Sequence, residues 1–153
     1  MEFHKHLHRL GSVWITNPRY FMTVCTHHRR SILADASVVE ILKGEWDGAW
    51  DRHGWAVGSY VVMPDHVHFF CTDGEQGTAL SRFVGSWKEW SSKAIKKECN
   101  IEEPIWQKGF FDHLLRSDES YSEKWNYVRN NPVRAGLVEC MDEWPFVGHI
   151  HYR

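Results

Sequence analysis

Three kinds of side chain in this sequence are spaced for chemistry: a histidine pair, a tyrosine and an asparagine. His66-Val67-His68 lies within Tyr60-Val-Val-Met-Pro-Asp-His-Val-His-Phe-Phe-Cys-Thr72, two apolar runs joined at a Pro-Asp corner. Such a stretch reads as strand, tight turn, strand, and side chains two apart on a strand leave the same face. Two neutral imidazoles pointing one way supply half of a divalent-metal site. Spacing alone serves a structural or surface role as readily, because His-x-His also occurs at His4/His6/His8 and at His149/His151 among 11 histidines. Those outer sets read as solvated ends. The central pair differs, since an imidazole half-buried in an apolar strand needs a partner.

A later helix offers one. Its apolar stripe is Tyr121, Trp125 and Val128, spaced i, i+4 and i+7. At 3.6 residues per turn, Tyr127 lies about 100° from Val128 and about 200° from Trp125, off that stripe. Glu123, Lys124, Tyr127 and Asn131 share another face, with Tyr127 and Asn131 one turn apart. Two readings stay open on pattern alone. One is a surface tyrosine beside a helix-ending asparagine, which is the commoner case. The other is a nucleophilic phenol, with an amide oxygen placed to complete the metal site.

The elements that must position these groups follow from periodicity. Tyr20–Cys25 is a run of strand formers. Val38, Val39, Ile41, Leu42, Trp46 and Trp50 repeat at helical spacing behind a possible Ser37–Glu40 capping box. Strands over roughly 55–62 and 66–72 come next, and then a second helix of about five turns with Leu80, Phe83, Val84, Trp87, Ala94 and Ile95 inward. Residues 105–111 read as a fourth strand with Gly109 as a bulge. The third helix is capped at Ser117 or Asp118, with a further possible capping box at Ser120–Glu123, and stops near Asn131 ahead of Pro132. Strand, helix, strand, strand, helix, strand is the split pattern of an α+β, ferredoxin-like βαββαβ domain, with an additional C-terminal helix carrying the tyrosine. A single domain over 1–153 is expected, with irregular segments at 1–18 and 139–153.

Composition narrows the classes. The 42% hydrophobic content fits a globular domain, and a net charge of −2 excludes a general polycation while leaving room for a local basic patch. Nine tryptophans suit either packing or base stacking. Cys25, Cys71, Cys99 and Cys140 include no Cys-x-x-Cys pair and read as reduced core thiols. No apolar run approaches the roughly 20 residues of a membrane span, and the N-terminal residues lack a signal-peptide core. A cytoplasmic protein with no membrane partner is the expectation.

Met63-Pro-Asp-His-Val-His68, followed by Tyr127-Val-Arg-Asn-Asn-Pro-Val-Arg-Ala-Gly-Leu-Val138, resembles the single-tyrosine HUH transposases. Within them it looks most like the bacterial REP-associated tyrosine transposases. Supporting stretches are Tyr20–Thr26, Trp106–Arg116 and Trp144-Pro-Phe146, so the likeness spans about residues 15–147. The resemblance implies a ferredoxin-like fold, His66 and His68 as metal ligands, Tyr127 as nucleophile and Asn131 as a further ligand. It implies Mg²⁺ or Mn²⁺ as cofactor and single-stranded or hairpin DNA as partner, of the REP palindrome type. The reaction would pass through a 5′-phosphotyrosine link, because a phenol of pKa about 10 needs activation to attack. The protein would act as a monomer or a homodimer.

Phosphate contacts are sought among Lys88 on the second helix, Lys108, His113, Arg116, Arg129 and Arg134. Asp112 and His113 follow the fourth strand and would either shape the site or cap the third helix. A catalytically silent nucleic-acid-binding module of the same fold is the rival reading. A His-x-His-x-Asp-His hydrolase fails at Phe70, where the aspartate would stand.

Overall fold

Alternation along one central strand divides the molecule into two faces. β3 (His66–Asp73) sends Val67, Phe69 and Cys71 to one side, all fully buried, and His66, His68 and Phe70 to the other. The computed structural model describes residues 19–74 and 77–153. The expected arm over 1–18, with His4, His6 and His8, lies outside the described residues.

β3 sits at the centre of a five-stranded antiparallel sheet with β1 (Arg19–Cys25), β2 (Trp55–Val62), β4 (Phe111–Leu115) and β5 (Val147–His149), in the order β4-β1-β3-β2-β5. The first four strands, with helices after β1 and β3, form the expected ferredoxin-like arrangement. Helices α1 (Ala36–Asp47), α2 (Ala49–His53) and α3 (Leu80–Cys99) close the core on one face. α1 is capped by Asp35 rather than by a Ser37–Glu40 box: its carboxylate accepts from the backbone N–H of Ser37 and Val38. On α3 the inward stripe runs Phe83, Val84, Trp87, Ser91, Ile95. Ser91 is tolerated there because Trp106 Nε1 donates to its hydroxyl at 3.0 Å. Trp46, Trp87 and Trp106 stack in series, with ring centroids 5.3 and 4.9 Å apart, so these tryptophans serve packing.

Two expectations need correction. Of residues 105–111 only Phe111 belongs to a strand, as the first residue of β4. Ile105 and Trp106 are buried in a crossing loop, Trp106 makes only an isolated bridge to Thr26, and Gly109 turns at φ +77°. A buried loop carries the same apolar signal as a short strand, which is why periodicity misplaced β4 by several residues. The 139–153 segment is not irregular either. It opens with a 3-10 turn, Met141–Glu143, and adds β5 to the free edge of β2. There Val62 N–H donates to Phe146 O at 2.9 Å and Trp144 Nε1 to Val62 O at 3.1 Å. His151, expected on a solvated end, is buried, with its Nδ1 accepting from Val57 N–H at 2.8 Å. All four cysteines are free, but only Cys25 and Cys71 are buried and Cys140 is exposed.

The second sheet face receives α4 (Asp118–Val128), capped by Ser117, whose hydroxyl accepts from Ser120 N–H. Tyr121 packs edge-on to Phe70 at 4.4 Å and its hydroxyl donates to Ser59 at 3.1 Å. Arg19 lies 4.0 Å over the Tyr121 ring and pairs with Asp118 in the first helical turn, where a carboxylate also suits the helix dipole. Burying Phe70 and Tyr121 is worth roughly 1.5–3 kcal/mol each, more than the ion pair to exposed Asp118 contributes. Packing therefore sets where α4 lies. Among the described residues no helix is long and apolar enough to cross a membrane.

Candidate active site

The histidine pair is held by its neighbours on both sides. Pro64-Asp65 forms the corner between β2 and β3, closed by Met63 N–H to His66 O at 2.8 Å. The end of β1 pins this corner: Thr26 N–H and hydroxyl both donate to Asp65 O, at 3.0 and 3.1 Å. The Asp65 side chain turns back to bond His66 Nδ1 at 2.7 Å and accepts from Arg29 Nε at 3.0 Å. Burial pushes the Asp65 carboxyl up, but the hydrogen bonds and charges of His66 and Arg29 outweigh it and hold it below the usual carboxylate range. An ionised Asp65 accepts a hydrogen bond from Nδ1–H, which favours the His66 tautomer with its Nε2 lone pair free.

His68 meets a hydroxyl where His66 meets a carboxylate. Its Nδ1 lies 2.9 Å from the hydroxyl of Thr23, its cross-strand neighbour on β1. Its ring stacks on Phe21 at 5.1 Å. Burial, reinforced by neighbouring His66, Lys124 and Arg134 against a pull from the Met22 backbone, lowers its pKa to about 3. The imidazole is therefore neutral at physiological pH. The two rings stand 4.8 Å apart at 77°, and among the described residues no hydrogen bond engages either Nε2. Sequence reasoning identified the pair but missed Asp65, Thr23 and Arg29. Asp65 read as a turn residue, and Thr23 meets His68 only through strand register.

Tyr127 is on this same side of the sheet, on the last turn of α4, and 63% exposed. No hydrogen bond or ring contact joins it to the histidines among the described residues. What links them is Arg134, whose guanidinium lies 3.8 Å over the Tyr127 ring while its charge also reaches His68. Lys124, one turn before Tyr127's neighbour Val128, lies 5.1 Å over the Phe21 ring that stacks on His68.

Asn131 is not on the tyrosine's helix. α4 ends at Val128, and Pro132 has no N–H to return to the Val128 carbonyl, as a continued helix would require. Asn131 instead opens α5 (Asn131–Arg134), and its side-chain oxygen accepts from Arg134. No third His, Cys, Asp or Glu gathers with the histidines among the described residues.

The expected phosphate-binding residues divide. Lys88 is half-buried and clamps the loop before β4, donating to Gln107 O at 2.7 Å and Gly109 O at 2.9 Å. Lys108 is exposed beside it, on the α3 side of the molecule. His113 and Arg116 are exposed on and just after β4, with His113 in register with Phe21 and Asp112 with Met22. Asp112 and His113 thus lie within β4 rather than capping the next helix. Phe111, 66% exposed, occupies the cross-strand row that runs through Thr23 to His68. Arg129 lines a cleft against β5.

A split βαββαβ sheet carrying an oriented histidine pair on the face that docks a tyrosine helix is the architecture of a tyrosine transposase. The chain belongs to the IS200-like transposase family, whose model matches residues 15–131. It is 29% identical over 139 residues to a REP-associated tyrosine transposase of Escherichia coli K12, covering 87% of this chain and 77% of the relative. A Haemophilus influenzae protein provisionally given the same name is 25% identical over 137 residues, covering 83% and 77%. Among solved structures, a REP-associated tyrosine transposase bound to a REP hairpin superposes with a TM-score of 0.73 at 27% identity, over 87% of this chain and 77% of that one. Members of this family are DNA-cleaving and joining enzymes.

Proposed function

We propose that the protein nicks and rejoins single-stranded DNA at hairpin-associated sites, with Tyr127 as nucleophile and a divalent cation at His66 and His68. The observation that carries this reading is the engagement of both Nδ1 atoms, by Asp65 and by Thr23, with the two rings 4.8 Å apart on the tyrosine's face of the sheet and Nε2 the nitrogen of each left to ligate. That donor set fits a divalent metal whose remaining positions are filled by oxygen ligands. Held by His66 and His68, Mg²⁺ or Mn²⁺ would supply Lewis-acid stabilisation of charge on the scissile phosphate. Asn131 is a further ligand only if Arg134 releases its side-chain oxygen.

The protein's own groups do the rest. The Tyr127 hydroxyl attacks the scissile phosphorus and loses its proton. The bond from phosphorus to the 3′ oxygen breaks, and that oxygen leaves as a 3′-hydroxyl after taking up a proton. A 5′-phosphotyrosine link remains. Attack on it by a 3′-hydroxyl restores a phosphodiester and frees the phenol. One phosphate ester replaces another at each step, so no nucleotide is consumed. Arg134, over the Tyr127 ring, places a permanent cation where phenolate and phosphate charge meet. Hairpin DNA of the REP type is the proposed substrate, supported by the relative solved with such a hairpin.

Tyr127→Phe tests the assignment. The variant is expected to bind a labelled single-stranded hairpin as the wild type does, yet to form no adduct that survives denaturation in Mg²⁺ or Mn²⁺. An adduct in the variant removes Tyr127 from the role. Tight binding by the wild type without any cleavage supports the silent binding module instead.

A further inference from the structure

A cleft of about 340 Å³ lies between α4 and β5, on the same sheet face as the histidine pair and separate from it. Trp125 of α4 and Arg129, the residue that follows this helix, line it together with Val147 and His149 of β5, Asp142 and Arg153. Val147 is in register with Val61, which is in register with His68. The cleft therefore begins two strands from the histidines, about 10 Å across the sheet.

Its charge is distinctive in a protein of net charge −2. Two guanidinium groups face one carboxylate, and among the described residues neither Arg129 nor Arg153 forms an ion pair. Arg153 Nε instead lies 3.4 Å from His149 Nε2. Helical spacing explains how one element serves two sites: Tyr127 and Arg129 are about 200° apart around the axis, so the end of α4 presents the phenol on one flank and a cation on the other. The volume is at the small end of ligand pockets, which run roughly 300–1,000 Å³. It suits one nucleotide, with an indole to meet a base and guanidinium groups to meet its phosphate.

We propose that this cleft is a second DNA subsite, which takes one unpaired, phosphate-linked nucleotide of the strand being cut. The proposal rests on the reading of the protein as an enzyme acting on single-stranded DNA. It assigns the terminal strand β5 a function: it builds one wall of a pocket that holds the strand in register while Tyr127 attacks.

The test uses the full chain and two labelled hairpins, one blunt and one with a short unpaired extension, titrated against wild type and the Arg129→Ala/Arg153→Ala double variant. Circular dichroism checks folding, and Arg129→Lys separates charge from guanidinium geometry. The wild type is expected to favour the extended hairpin, and the double variant to lose roughly tenfold in affinity for it, with a several-fold smaller loss on the blunt one. Equal losses on both probes would reveal only general electrostatic attraction and overturn the subsite, as would no loss on either. If the wild type forms its Tyr127 adduct while the double variant discriminates the probes normally, the subsite alone fails. If the wild type binds neither hairpin, the parent reading fails with it.

Discussion

At the scale of single residues, the side chains that hold the histidines matter as much as the histidines. Asp65 fixes His66 through Nδ1, and the Thr23 hydroxyl lies within hydrogen-bond distance of Nδ1 of His68. Removing such a supporting partner costs about 10–100-fold in metal affinity or activity. Asp65→Ala and Thr23→Val are each expected to weaken Mn²⁺ binding by about that factor, measured by calorimetry, and to leave hairpin binding in metal-free buffer nearly unchanged. Asp65→Ala is expected to be the more damaging, because it also releases Arg29. Unaltered Mn²⁺ affinity in both variants would show that the pair does not ligate through Nε2. Strand alternation placed the two histidines on one face and helical spacing placed Tyr127 off the apolar stripe, while the roles proposed for them came from the family resemblance. Thr23 was not, because the pairing of β1 with β3 brings together residues 45 apart that share no local pattern.

At the scale of elements, the added strand β5 depends on an irregularity in β2. The register of β2 against β3 shifts between Val57 and Tyr60, and Gly58 lies at this bulge. Ile150 N–H donates to Gly58 O at 3.2 Å and His151 N–H to Val57 O at 2.7 Å, so the tail bonds to the bulged segment itself. A side chain at Gly58 would put its Cβ 2.5 Å from Cε2 of Tyr152 and 2.7 Å from Cζ, closer than packed carbons approach. Gly58→Ala therefore displaces the Tyr152 ring and is expected to destabilise the protein by about 1–3 kcal/mol in urea unfolding. A change within a few tenths would mean that the tail detaches from β2 without cost. The sequence displayed the βαββαβ core well, because each of those strands and helices keeps its period for a turn or more. β4 was misplaced by the buried loop at Ile105 and Trp106. β5 was invisible: its three residues, Val147-Gly-His149, carry no alternation and form a strand only because β2 offers an open edge.

At the scale of the whole molecule, histidines buried as neutral groups make its stability depend on pH. His151 is held with Nδ1 accepting from Val57 N–H and Nε2 at 3.1 Å from Asp47 O, an arrangement that admits one ring proton and not two. Burial lowers its pKa from 6.5, against an opposing pull from the Asp47 carbonyl and nearby carboxylates. In the metal-free protein His68 is lowered further, to about 3, chiefly by burial. Unfolded histidines take up protons near 6.5, whereas these two resist in the folded state, so below that pH the unfolded chain binds more protons. Stability is then complete above about pH 6.5 and declines as pH falls towards 3. Asp65, held below its ordinary 3.8, adds to the loss only at the acid end. The urea midpoint of metal-free protein is therefore expected to be flat from about pH 7 to 8 and to fall steadily from pH 6.5 to 4, before most carboxylates titrate. An acid limb that starts only below pH 4 would mean that neither imidazole is buried neutral. Adding Mn²⁺ should raise the midpoint of the wild type at neutral pH and fail to do so for a His66→Ala/His68→Ala variant, since a ligand that binds only the folded state stabilises it. His151 should titrate alike in both proteins, so the acid limb of the double variant should become shallower without disappearing.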